Sequence, residues 1–143
     1  MTRALSHRGP DAEGMLVSDG VALGHRRLSI IDPSPTGAQP MRLGEGGPAI
    51  TYNGETYNFK DLRASLQREG NVFAGTSDTE VVLNAYARWG LDGLRRLEGM
   101  FAFALWDTEQ RELFCARDPF GIKPLFMATG PGGTALGSEE KCR

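Results

Sequence analysis

The sequence predicts an α+β domain built mainly of antiparallel sheet. Short strand-like apolar runs occupy the first third of the chain, two helices occupy the middle, and strand patterns return from residue 100 onward. The 19 glycines indicate many tight turns, which are typical of a β-rich fold with short connections. A chain of 143 residues that is 40% hydrophobic suffices for one core, so we expect a single domain.

The first third of the chain contains the segments with strand character. Residues 21–24 and 28–31 are brief apolar runs separated by basic residues, and a loop punctuated by prolines follows at residues 33–40. Residues 49–52 predict a further strand, which ends at Asn53-Gly54.

Two helices are predicted next. The first covers residues 59–68, with Asn58 as its N-cap and Gly70 as its stop signal. The second begins with the pattern of a capping box at residues 77–80, and a short helical piece at residues 91–97 follows it.

The last third returns to strand patterns. Residues 100–106 form a nearly continuous apolar run, which predicts a strand buried on both faces. A turn at residues 107–111 leads to a returning strand at residues 112–117, and two short strands are expected near residues 125–127 and 134–136.

Charge and composition exclude several classes of protein. The net charge is −2, and no dense run of lysine and arginine predicts binding to nucleic acid or to a membrane surface. The longest apolar stretch, residues 100–106, is too short to span a bilayer. Cys115 and Cys142 have neither metal-site spacing nor the number of a disulfide scaffold, so we expect a cytoplasmic protein with no bound metal.

The first cluster of polar residues with chemical interest lies at residues 24–32 and contains Arg27. An arginine within a strand-like segment can present two parallel N–H groups to a carboxylate. The alternative is a structural ion pair, which this segment alone favours because arginine is common and usually exposed.

The second cluster is Tyr52-Asn53-Gly54-Glu55. Asn-Gly after a strand is a strong hairpin signal, so a plain turn is the simpler interpretation. The segment leads into a helix, however, and the amide of Asn53 beside the N–H of Gly54 can supply the two donors of an oxyanion hole.

The third cluster, at residues 77–80, contains Asp78. A capping box explains Ser77 and Glu80 without requiring Asp78, although a carboxylate in the first turn suits the helix dipole. Asp78 can alternatively hold an ammonium group of a substrate.

Taken together, the clusters resemble the N-terminal glutaminase domain of glutamine-hydrolysing asparagine synthetases. The resemblance covers nearly the whole chain in the order of the family, which makes it specific. The matching stretches are His7-Arg8-Gly9-Pro10-Asp11, residues 24–32, Tyr52-Asn53-Gly54-Glu55 with Tyr57-Asn58-Phe59, residues 77–80, residues 99–107 and residues 117–125.

The resemblance implies a four-layer αββα sandwich of the N-terminal-nucleophile hydrolases, with residues 1–143 forming a partial glutamine amidotransferase domain. Such domains cleave glutamine to glutamate and ammonia. By analogy, Arg27 binds the α-carboxylate of glutamine, Asp78 its α-ammonium group, and Asn53 with Gly54 forms the oxyanion hole. The remaining expected pocket residues are Leu28, Ser29, Ile30, Ile31 and Glu55.

The sequence departs from this family at its start. The family nucleophile is a cysteine directly after the initiator methionine, on a strand that precedes the His-Arg-Gly-Pro-Asp motif, whereas six residues precede His7 here. Thr2 has the wrong register to replace that cysteine, and Cys115 lies in an apolar segment where a buried, inert thiol is expected. We therefore expect a domain truncated at both ends, with the first strand missing and without glutaminase activity.

Two expectations about function follow from the resemblance. The chain is the glutaminase portion of an asparagine synthetase, or alternatively a non-catalytic module that binds glutamine or another protein. The expected partners are glutamine and a C-terminal synthetase domain. ATP and magnesium are expected only in that domain, because residues 1–143 lack a Ser-Gly-Gly-x-Asp-Ser pyrophosphate loop.

Overall fold

The computed structural model describes residues 1–18 and 20–142, in which strands come first, helices follow and strands return, in the predicted order. The strands are β1 (Ala12–Ser18), β2 (Val21–Arg27), β3 (Met41–Arg42), β4 (Ala49–Thr56), β5 (Gly99–Asp107), β6 (Glu112–Arg117), β7 (Phe126–Gly130) and β8 (Gly133–Gly137). The α-helices are α1 (Phe59–Arg68), α2 (Asp78–Trp89) and α3 (Leu91–Arg95). Short 3-10 turns lie at Thr2–Leu5, Pro35–Gly37 and Glu140–Cys142.

The central layer is an antiparallel sheet with the order β3-β4-β5-β6. Strand β5 pairs with β4 on one side and with β6 on the other. Residues 101–106 are all buried, which confirms the predicted strand buried on both faces. The continuous apolar run is required because other elements cover each face of this sheet.

The helices cover one face of the central sheet. Val82 and Leu83 of α2 pack on Ile50 of β4 and on Phe103 and Leu105 of β5, and all five side chains are fully or almost fully buried. Helix α1 packs on the outer side of α2, as their contacting apolar side chains show. Helix α2 therefore packs on the sheet with one set of apolar side chains and on α1 with another.

Two hairpins, β1–β2 and β7–β8, cover the other face of the central sheet. Leu23 of β2 and Leu136 of β8 pack against Ala49, Ala104 and Trp106 of the sheet. The layers are therefore helix, sheet and hairpins, and the predicted α+β sandwich is confirmed. Residues 1–18 and 20–142 do not form a second layer of α-helix outside the hairpins.

Residues 28–31 form a loop, so the strand predicted there is wrong. Strand β2 ends at Arg27, and the Ser29 N–H donates to the carboxylate of Asp11 at 2.7 Å instead of to a neighbouring strand. Leu28 and Ile30 are 57% and 76% exposed, so the apolar character of this segment does not reflect burial in the core.

The plain turn considered at Asn53-Gly54 is also wrong, because β4 continues through both residues to Thr56. Strand β5 supplies the partner, with Asn53 opposite Ala102 and Gly54 opposite Phe101. A hairpin signal in the sequence is overridden here by a pairing partner more than forty residues away in the chain.

Replacing Phe103 by alanine tests the assignment of β5 to the centre of the core. The Phe103 ring is almost fully buried and lies 6.0 Å from the ring of Tyr52. We expect Phe103→Ala to lower the free energy of unfolding by about 3–5 kcal/mol in chemical denaturation, because it opens a cavity. Phe120 is 87% exposed, so Phe120→Ala is the matched control and should change it by less than about 0.5 kcal/mol. Equal losses in the two variants would contradict this core.

Candidate functional site

A cleft of about 720 Å³ lies between the hairpins and the central sheet. Strands β2 and β8 line it from the hairpin layer, and residues of β4 and β5 line it from the sheet. Every residue that the sequence nominated for the site lines this cleft. These residues are Arg27, Leu28, Ser29, Ile30, Ile31, Asn53, Gly54, Glu55 and Asp78.

Asn53 and Gly54 occupy the cleft side of β4 near its end. The Asn53 side chain is half-buried and makes no hydrogen bond within residues 1–18 and 20–142. The N–H groups of Tyr52 and Thr56 donate to side chains outside the β4–β5 pairing, at Gln39 and Asp78. Because N–H directions alternate along a strand, the Gly54 N–H points to this same edge, away from β5.

A close approach of β4 and β5 requires glycine at position 54. A Cβ atom on Gly54 would lie 2.1 Å from the carbonyl oxygen of Met100 and 2.6 Å from the Cα of Phe101. No side chain fits in that space, so the residue beside Asn53 must be glycine for the pairing to persist.

Asp78 is a buried carboxylate at the first residue of α2. Its Oδ2 accepts from the Thr56 N–H and its Oδ1 from the Thr79 N–H, each at 2.9 Å, and the residue is 5% exposed. Ser77 acts as the N-cap by accepting from the Glu80 N–H at 3.2 Å, so capping does not explain Asp78. Burial raises the pKa of Asp78 despite these hydrogen bonds. In the described part of the chain, no lysine or arginine lies within 4 Å of it.

Arg27 lies at the end of β2, with its guanidinium against the loop that follows. Its Nη1 donates to the Ser34 carbonyl at 3.0 Å and its Nη2 donates to the Asp32 carbonyl. The structural ion pair is not formed with any described carboxylate. A guanidinium has five N–H groups, so the remaining ones are available to a carboxylate in the cleft.

The carboxylate of Asp32 fixes the shape of the loop that Arg27 contacts. It accepts from the Ser34 N–H at 3.0 Å, from the hydroxyls of Ser34 and Thr36 at 2.5 and 3.0 Å, and from the Thr76 N–H at 2.9 Å. These bonds, led by the Ser34 hydroxyl, hold the pKa of Asp32 well below its usual range. The loop is thereby tied to the segment that precedes α2.

His25 lines the same cleft and was not nominated from the sequence. Its Nδ1 lies 3.2 Å from the Thr51 hydroxyl of β4. Burial, together with the positive charge of Arg27, lowers the pKa of His25 to about 4. The available signal was its spacing, because His25 lies two residues before Arg27 and so faces the same side of β2.

Among the nucleophile candidates, Thr2 lines the cleft and Cys115 does not. Thr2 lies in the turn against β2, where a Cβ on Gly24 would approach its methyl group to 2.5 Å. Cys115 on β6 is exposed, so the buried thiol expected there is wrong, although partial burial of the thiol raises its pKa and disfavours the thiolate. The side chain of Cys142 lies outside the described residues.

Residues 1–18 and 20–142 contain neither a metal-binding cluster nor a membrane-spanning helix. No group of three or more histidine, cysteine, aspartate or glutamate side chains there is arranged to hold a metal ion. No helix in the same residues combines the length and apolar character needed to cross a bilayer.

Replacing Asp32 by asparagine tests the loop that positions Arg27. Some of the N–H and O–H groups that donate to Asp32 would then face the N–H₂ group of the asparagine side chain. We therefore expect Asp32→Asn to lower the unfolding free energy by about 1–3 kcal/mol at pH 7. Because folding depresses the pKa of Asp32, its contribution is complete above the unfolded value of 3.8 and is lost as pH falls below it. The difference from wild type should therefore shrink in acid, as measured by denaturant titration from pH 7 to pH 2.5.

Asp92→Asn provides the control for that measurement, because the Asp92 side chain is 72% exposed. It should leave stability nearly unchanged at pH 7. A loss as large as that of Asp32→Asn would refute the role assigned to the Asp32 carboxylate.

The chain is similar in sequence to curated asparagine synthetases. A putative glutamine-hydrolysing asparagine synthetase of Mycobacterium tuberculosis is 53% identical over 148 residues, which cover 96% of this chain and 22% of the relative. Glutamine-hydrolysing asparagine synthetase 3 of Bacillus subtilis is 44% identical over 143 residues, which cover 99% of this chain and 23% of that protein. The chain thus spans less than a quarter of the length of these relatives.

Two solved structures resemble this fold. Glutamine phosphoribosylpyrophosphate amidotransferase of B. subtilis superposes with a TM-score of 0.83 at 24% identity, over 98% of this chain and 38% of that one. The structure described as the allosteric regulatory enzyme of purine biosynthesis gives a TM-score of 0.69 at 28% identity, over 85% of this chain and 28% of that one. The first likeness confirms the predicted fold of the N-terminal-nucleophile hydrolases.

A family model described as the glutamine amidotransferase domain matches residues 1–142, which is nearly the whole chain. The relatives, the fold and the family model agree with the resemblance carried by the sequence motifs. The chain belongs to the glutamine amidotransferase domain family.

Proposed function

We propose that this chain is the glutamine-binding portion of a glutamine-hydrolysing asparagine synthetase. The observation that carries the proposal is Asp78, a buried carboxylate with a raised pKa that faces the same cleft as Arg27. Free glutamine carries one ammonium group and one carboxylate. The ammonium group would place a positive charge beside the Asp78 carboxylate, which no described lysine or arginine does.

The carboxylate of glutamine would meet Arg27. Its guanidinium is oriented by the carbonyls of Asp32 and Ser34, which leaves N–H groups free for a second partner. An arginine that is already positioned loses little side-chain entropy when it binds a carboxylate. Arg27 and Asp78 together match the two charged groups of an amino acid, which a simple amide lacks.

The amide end of glutamine would extend toward Asn53 and Gly54. The Asn53 side-chain amide and the Gly54 N–H are donors of adjacent residues near the end of β4 that could stabilise the oxyanion of a tetrahedral intermediate. The strand backbone that carries both residues is held by its pairing with β5.

Hydrolysis also requires a nucleophile, and this requirement separates two forms of the proposal. Cysteine is absent from the described residues that line the cleft. We therefore propose that residues 1–143 bind glutamine without cleaving it, as a binding module would. Cleavage to glutamate and ammonia would need a cysteine thiolate delivered to the cleft, with its amino group as the base.

The remainder of the relatives' length suggests what the ammonia serves. We propose a C-terminal synthetase domain that uses ATP and magnesium to amidate aspartate, in agreement with the names of the relatives. The glutaminase portion itself would need no cofactor, and the cytoplasm, where free glutamine is available, is the proposed compartment.

Binding of glutamine is the first test of the proposal, measured by titration calorimetry at pH 7.5. We expect wild type to bind, and Arg27→Ala and Asp78→Asn each to weaken binding roughly 10- to 100-fold, because each removes a charge-assisted hydrogen bond. Asp92→Asn, at an exposed site away from the cleft, should bind as wild type does. Wild-type affinity in both cleft variants would refute the assigned roles.

Release of glutamate from glutamine separates the two forms of the proposal. We expect the purified 143-residue chain to release glutamate no faster than the buffer does, in a coupled dehydrogenase assay. Cys115→Ser is the matched control, because Cys115 lies on β6 outside the cleft lining. Any turnover in the wild-type chain would contradict the binding-only form, and turnover that survives Cys115→Ser would show that Cys115 is not the nucleophile.

A further inference from the structure

His25 lines the cleft, and its contact with Thr51 determines which ring nitrogen is the hydrogen-bond acceptor. The Thr51 hydroxyl donates its single hydrogen to the Gly24 carbonyl at 3.2 Å. Toward His25 Nδ1, also at 3.2 Å, the same oxygen must therefore accept. Nδ1 consequently carries the ring hydrogen, and Nε2 is left with a bare lone pair.

The imidazole of His25 is neutral in this environment. Its surroundings lower its pKa to about 4, first through burial and second through the charge of Arg27. Its Nε2 makes no hydrogen bond within residues 1–18 and 20–142. At neutral pH, His25 therefore lines the cleft with an Nε2 acceptor that has no donor partner among the described residues.

The strand periodicity places this acceptor relative to the other groups of the site. His25 precedes Arg27 by two residues on β2, and Thr51 precedes Asn53 by two residues on β4. Members of each pair share a face of their strand and are separated by about 7 Å. The His25–Thr51 pair thus lies one side-chain step along the cleft from Arg27 and Asn53.

We propose that His25 Nε2 accepts a hydrogen bond from the side-chain N–H₂ of bound glutamine and thereby excludes glutamate. This inference rests on the proposed function, in which Asn53 and Gly54 bind the amide oxygen. The other side of the amide then faces an acceptor. Glutamine offers an N–H there, whereas glutamate offers a second oxygen whose lone pairs oppose that of Nε2.

The lone pair of His25 Nε2 would distinguish glutamine from glutamate, which the charges of Arg27 and Asp78 cannot do. Arg27 and Asp78 contact only the α-amino-acid end, which glutamine and glutamate share. An acceptor that faces a second oxygen in place of a donor disfavours the wrong ligand roughly 10- to 100-fold. Glutamate therefore binds the cleft more weakly than glutamine does.

Two variants of His25 test the proposal through the ratio of the dissociation constants for glutamate and glutamine. Asn in place of His25 retains an atom at the Nδ1 position for Thr51 but has none at the Nε2 position. Gln reaches the Nε2 position and can offer its oxygen there. We expect His25→Asn to reduce the ratio at least tenfold and His25→Gln to restore part of it.

Nitrogen-15 NMR of the imidazole gives an independent readout on the wild-type chain at pH 7.5. We expect a protonated Nδ1 and an unprotonated Nε2 in the free protein, and an upfield shift of the Nε2 signal with glutamine but not with glutamate. A proton on Nε2 in the free protein, or a ratio unchanged within twofold in His25→Asn, would overturn the proposal.

The experiment also distinguishes failure of this inference from failure of the proposed function. Glutamine binding that depends on Asp78 but shows an unchanged ratio in His25→Asn refutes only the role of His25. Absence of any glutamine binding by the wild-type chain refutes the proposed function and the inference together.

Discussion

The close pairing of β4 with β5 is the constraint on which the rest of this structure depends. Gly54 and Gly99 face the opposite strand at distances that no side chain allows, since a Cβ on Gly99 would lie 2.1 Å from the Glu55 carbonyl oxygen. The pairing holds β4 extended through Asn53, and its two faces carry the helical core on one side and the hairpin core on the other. Both the core and the cleft are consequences of this one pairing.

Buried carboxylates bound to backbone N–H groups connect this pairing to the loops around it. Asp118 accepts from the N–H groups of Phe101, Ile122 and two further loop residues, and these bonds outweigh burial and lower its pKa, as the bonds of Asp32 do. Asp78 differs because burial prevails and raises its pKa. Asp32 and Asp118 are satisfied structural groups, whereas Asp78 remains able to gain from a cation.

Periodicity in the sequence predicted the elements whose environment is local or two-sided. The helix-start and helix-stop residues predicted α1 and α2, and the continuous apolar run predicted β5. The strand proposed at residues 28–31 and the turn proposed at Asn53-Gly54 failed because tertiary partners decide both, namely the Asp11 carboxylate and strand β5. Every residue nominated from the motifs lines one cleft. His25 was missed because the role proposed for it depends on its contact with Thr51, which is distant in sequence and adjacent only in the fold.

The two walls of the cleft differ in what holds them, and this difference bears on recognition. Asn53, Gly54 and Asp78 stand on β4 and α2, which share the main core, so these groups are fixed by extensive burial. Arg27 stands on a two-stranded hairpin whose contact with the sheet includes Leu23, and its guanidinium is oriented by a loop held by Asp32. Small hairpin layers open at lower cost than cores. The Arg27 wall is therefore the part of the cleft that opens at lower cost, whereas the Asn53 wall is held by the main core.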